Sequence, residues 1–126
     1  MSLPPPGQDL VRREPVWQAW SGLYLDTEGS AALLEGDART LAASAYSIEE
    51  LRQILWDEVH PACIANLMVP SGGEWAFFSA EWLRERILRR ATIRYRFPAR
   101  WMLFRAGIAK RAGPMLEQVA IIRAAQ

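Results

Sequence analysis

The apolar residues of this chain recur every three or four positions, and no stretch of any length alternates apolar and polar residues as a half-buried strand would. The pattern predicts helices almost throughout. The first is expected from about Glu14 to Leu25, with Pro15 tolerated in its opening turn. Val16, Ala19, Trp20 and Leu23 share one of its faces. Trp17 and Tyr24, seven residues apart, form a second ridge, read either as the edge of the core or as an exposed aromatic contact strip. After the turn "LDTEGS", a second helix is expected from about Ala31 to Ala43. "YSIEEL" carries the clearest local signal. Ser47 fits an N-cap and Glu50 its reciprocal partner, while Tyr46 and Leu51 fit the hydrophobic staple that fixes chain entry. A third helix therefore starts at Ile48, with Ile48, Leu51, Leu55 and Val59 as its core stripe, and is expected to stop or kink before Pro61. "PACIANLM" reads as a short further helix.

"VPSGGEW" is a loop by composition, and Ser79 then caps a fourth helix that runs to about Phe97, where Pro98 ends it. Leu83, Ile87, Leu88, Ala91 and Tyr95 fall on one side of that helix, and Arg86, Arg89, Arg90, Arg94 and Arg96 on the other. Farther on, "RWMLFRAGIAKRAG" and "PMLEQVAIIRA" read as two helices split at "GP". The expected fold class is all-α: a compact single-domain bundle of about five to six helices over residues 9–126, preceded by a proline-rich flexible arm over residues 1–8.

At 126 residues and 51% hydrophobic, the chain has enough apolar surface for one real core. No apolar run reaches the roughly 18 residues of a transmembrane helix, and the first residues lack the apolar middle of a secretory signal, so a cytoplasmic location is expected. The net charge of +1 hides a strong polarity. Residues 1–83 hold four arginines against twelve acids, a balance of −8, whereas residues 84–111 hold ten basic residues against Glu85 alone, a balance of +9. Such segments favour mutual docking or charged partners.

The chemistry is mostly a record of absences. With one histidine, His60, and one cysteine, Cys63, no zinc spacing and no internal disulfide can be built, and no metal or cofactor is expected. Phosphate-binding glycine loops and the nucleophile elbow are missing. "DEVHP" sets Asp57 and Glu58 beside His60, but acids on a helix face are ordinarily solvated, and an enzyme is not the expected reading. Most of the six tryptophans are expected in the core. Trp56 stands apart because it lies off its helix stripe, toward the acids, where an exposed ring would serve as a binding anchor.

"RREPVWQAWSGLYLDTE", "LAASAYSIEELRQILWDEVHPACIANL" and "GEWAFFSAEWLRERILRR" together resemble a family of short bacterial proteins with no assigned activity, over roughly residues 12 to 90. A looser likeness, of character and without a diagnostic motif, is to the immunity proteins that neutralise secreted toxins. That likeness implies an inhibitor that occupies the basic surface of a toxin or effector protein. The contact residues expected for it are Glu49, Glu50, Trp56, Asp57 and Glu58, extended by Trp17 and Tyr24. The alternative is a nucleic-acid-associated regulator that neutralises phosphates with Arg86, Arg89, Arg90 and Arg94.

Overall fold

The computed structural model describes residues 3–24, 31–67, 79–92 and 105–126, apart from the side chains of residues 31–34, 64–67 and 90–92. The protein is an all-α bundle, and no strand occurs among the described residues. Its helices are α1 (Leu10–Ser21), α2 (Ala31–Ala43), α3 (Ile48–Ile54), α4 (His60–Leu67), α5 (Ala80–Thr92) and α6 (Arg105–Ala124). Short 3-10 turns precede and follow α1, at Pro6–Gln8 and Gly22–Tyr24. The turn expected at 25–30, the loop at 68–78, the end of the fourth helix at 93–98 and the start of the next at 99–104 lie outside the described residues, and Trp75 and Trp101 with them.

α1 is the middle helix, packed against α2, α5 and the end of α3. That position explains why both of its ridges are buried. Val16, Trp17, Ala19, Trp20, Leu23 and Tyr24 all join the core, so Trp17 and Tyr24 form its edge and offer no contact strip. The helix also starts four residues earlier than the position of Pro15 suggests, which leaves Pro15 in its interior. A proline there removes the donor for the Val11 carbonyl, and Val11 and Pro15 both lie on the solvent side, where water can replace it.

α3 begins as its sequence dictates. The Glu50 N–H donates to Ser47 Oγ at 3.1 Å and the Ser47 N–H to Glu50 Oε1 at 2.9 Å, a complete capping box. Tyr46 and Leu51, which flank it, are both buried. Ser79 likewise caps α5, accepting from the Trp82 N–H at 3.1 Å.

Two prolines are accommodated without ending the helical run. The third helix does not stop at Pro61. It widens into one π turn, Leu55–Val59, in which the His60 N–H reaches back five residues to the Leu55 carbonyl, and it continues as α4. An α-helical register would drive the Pro61 ring against the Asp57 carbonyl, and the wider turn precedes that clash. Gly113 and Pro114 do not split the last helix either. α6 runs through them, with Pro114 and Lys110, whose carbonyl loses its donor, both exposed.

α6 packs mainly on α2. Arg123 anchors its far end by donating to four carbonyls in the last turn of α2 and in the link to α3: Leu41 (3.2 Å), Ala42 (3.1 Å), Ser44 (3.2 Å) and Tyr46 (2.6 Å). A guanidinium fork suits this role because the carbonyls that end a helix have no partners within it. Nearer its start, Arg111 donates to the Leu23 carbonyl at 2.9 Å. The proline-rich start of the chain, expected as a loose arm, is tied down as well, because the Pro4 carbonyl accepts from Arg13 Nη2 at 2.6 Å.

Asp37 on α2 lies close to Gly22, where a Cβ would come within 3.0 Å of its carboxylate. Burial pushes its pKa from 3.8 up to about 6. The charged form is the one disfavoured in the fold, so the stability tied to Asp37 is whole below about pH 4 and lost as pH rises through about 6. Asp37→Asn, which cannot ionise, is expected to raise stability at pH 7 by about 1 kcal/mol after solvent screening is allowed for. Urea titrations at pH 7 and at pH 4 check this, since the advantage should vanish at the lower pH.

Candidate functional site

A cluster around Arg13 of α1 decides where the charges of the acidic half go. Arg13 faces the core with Trp20 one ridge along, and its side chain is 0% exposed. A guanidinium in such a place needs every donor matched. Arg13 Nη1 donates to Glu58 Oε2, its Nε donates to the Tyr46 hydroxyl at 3.1 Å and lies 3.4 Å from Asp9 Oδ2, and its Nη2 takes the Pro4 carbonyl. The Tyr46 hydroxyl in turn donates to Asp9 Oδ2, and the Trp17 indole N–H donates to Glu58 Oε1 at 2.7 Å. Both Glu58 oxygens are therefore engaged from α1. Burial raises the pKa of Glu58, while the Trp17 hydrogen bond and Arg13 pull it down.

Glu58, expected on the contact surface, is thus an internal ion-pair partner, with its side chain 13% exposed. The sequence carried a signal for this. Glu58 is seven residues after Leu51 and three after Leu55, and Arg13 is seven before Trp20, so both charges fall on apolar stripes. A lone charge on such a stripe is hard to rationalise, but two of opposite sign suggest a buried pair.

His60 and Cys63 line the inner side of α4. The Tyr24 hydroxyl and His60 Nδ1 share a hydrogen bond at 2.6 Å, and burial raises the phenol pKa, so the phenol keeps its proton. The imidazole also meets the edge of the Trp56 ring, with centroids 5.1 Å apart and planes at 67°. Burial pushes the Cys63 thiol up, which keeps it protonated and a poor nucleophile. Among the described residues no three of His, Cys, Asp and Glu converge as metal ligands would.

What remains on the outside is a small cluster at the π turn. Trp56 is half-buried, with one edge held by His60. Asp57 beside it is exposed, and Arg105, the first residue of α6, sets its guanidinium 4.7 Å from the centre of the Trp56 ring. Burial raises the pKa of Asp57, and the charge of Arg105 lowers it. Two turns back on α3, Glu49 is exposed and pairs with Arg52 at 2.9 Å, while Glu50 is half-buried and spent on the capping box.

The arginine face of α5 is partly committed. Arg84 pairs with Glu14 of α1 at 3.2 Å, and Arg86 lies 5.4 Å from the centre of the Trp82 ring. Arg89 is exposed, whereas Arg94 and the side chain of Arg90 lie outside the described residues.

The buried pair and the surface pairs differ in worth. Glu58→Ala strands the Arg13 charge in the core and is expected to cost about 3–5 kcal/mol. Glu35→Ala breaks a pair whose side chains are 69% and 61% exposed, and is expected to cost less than about 1 kcal/mol. Urea unfolding of the two variants at pH 7 measures the contrast.

A comparison with protein families matches residues 11–120 to a domain of unknown function, DUF7079. No curated relative and no solved structure matches the chain. The matched span takes in the Arg13 and Glu58 pair, the π turn and nearly all of α6, and on that extent the chain belongs to the DUF7079 family.

Proposed function

We propose that this protein is a non-catalytic binding protein of the cytoplasm, an inhibitor of immunity type that grips a toxin or effector protein through that protein's basic surface. The observation that carries this reading is the cluster at the π turn. Trp56 and Asp57 face outward there, on a segment whose other acid, Glu58, is locked inside. The contact set is accordingly narrower than the sequence suggests. It comprises Trp56 and Asp57, with Glu49 on the same outer edge, while Trp17, Tyr24 and Glu58 serve the core and Glu50 serves the helix cap. A ring held on one side by His60 loses little freedom on binding, and a carboxylate next to it steers a cationic surface toward it. No helix among the described residues is long and apolar enough to cross a membrane.

Of the arginines on which a nucleic-acid reading rests, Arg86 lies against the Trp82 ring, and a phosphate would compete with that contact.

Affinity capture with tagged protein, followed by mass spectrometry, identifies the partner. Asp57→Lys is expected to weaken its binding at least about tenfold, which corresponds to about 1.4 kcal/mol, with the thermal unfolding temperature nearly unchanged. Equal capture by Asp57→Lys and wild type would sink the proposal. So would salt-dependent retention on RNA or DNA that disappears with Arg86→Ala and Arg89→Ala.

A further inference from the structure

Arg105 is the first described residue of α6. Its guanidinium is laid over the Trp56 ring, within 4.7 Å of the centroid, and its charge acts on Asp57. The three groups make up a complete receptor for a cation. The indole face supplies the ring attraction, the Asp57 carboxylate supplies the counter-charge, and His60 behind the ring fixes its orientation through the edge contact at 5.1 Å. Arg105 is exposed, so no buried packing holds it in that position.

We infer that Trp56 and Asp57 form a receptor for an arginine side chain of the partner protein, and that Arg105 occupies it in cis until the partner's arginine displaces it. This rests on the binding role proposed above and names the chemistry of the same surface. A guanidinium fits better than an ammonium because it is planar, stacks on the ring and is more weakly hydrated. The cis occupant gives the free protein a closed surface. One face of the Trp56 ring carries the Arg105 cation, whose field also reaches Asp57, so a weakly basic protein gains little by docking there. A partner presenting an arginine at this point exchanges one cation for another at little electrostatic cost, and its remaining contacts then decide the affinity.

The test uses the full chain and a blocked arginine amide as probe, with a blocked lysine amide for comparison. The readout is the indole N–H resonance of Trp56, assigned by its disappearance in Trp56→Phe. In wild type the arginine amide is expected to shift that resonance with weak, saturable binding. Arg105→Gln removes the competitor and is expected to tighten binding about two- to fivefold. Asp57→Asn is expected to weaken it by a similar factor. The lysine amide is expected to bind more weakly than the arginine amide throughout. Unchanged or weaker arginine binding in Arg105→Gln, in a variant whose amide spectrum remains that of the folded protein, overturns the inference. If that happens while Asp57→Lys still abolishes partner capture, the binding role stands without the cis occupant. If Arg105→Gln does tighten arginine binding but Asp57→Lys leaves partner capture intact, the receptor exists and the partner docks elsewhere.

Discussion

A guanidinium with no access to water has to be matched by the fold around it, and Arg13 sets that condition here. Its donors reach the chain start at Pro4, the carboxylates of Asp9 and Glu58, and the Tyr46 hydroxyl. One side chain therefore ties together the first turn, α1, the approach to α3 and the π turn. Hydrophobic contacts alone tolerate small slips between helices, whereas a charge pair at this depth has one acceptable arrangement. The tryptophans pack around that arrangement: Trp17 satisfies the other Glu58 oxygen, and Trp20 donates to the Leu51 carbonyl at 3.0 Å.

The same pair also separates structure from surface on one short helix. Of the two acids in the π turn, Glu58 is drawn inward and Asp57 is left outside. The opposite charges of the two halves of the chain are reconciled only in part by direct pairing. Glu14 with Arg84 joins the acidic and basic segments, and Arg105 reaches Asp57 by field and Trp56 by its ring. Arg111 of the basic segment is instead spent on a backbone carbonyl, as is Arg123 beyond that segment. Both serve as structural clasps.

Much of the fold was legible because it depends on local rules. The capping box at Ser47, the cap at Ser79, the limits of α2 and the stripe Leu51, Leu55 and Val59 all follow from spacing along a few turns. The prolines misled because a proline ends a helix only when its lost hydrogen bond and its ring clash go unrelieved. Pro15 and Pro114 sit on solvent faces, and Pro61 follows a widened turn. The two-ridged character of α1 pointed to burial on both sides, but which helices would supply that burial is a matter of tertiary arrangement that no window of sequence contains. For the candidate site, Trp56 and Asp57 were recognisable from their positions on the helix. Arg105 was not, because it comes to lie over Trp56 from forty-nine residues farther along the chain.

The π turn at Leu55–Val59 amounts to one residue more than an α-helix would need to cover the same rise. Every side chain beyond it is rotated by about a quarter of a revolution relative to α3. His60 and Cys63 owe their inward aim to that offset. The same residues wound as an unbroken α-helix would swing the imidazole and thiol away from Tyr24 and toward different neighbours, whereas a chain shortened by one position there would close the turn to α geometry and keep both in phase.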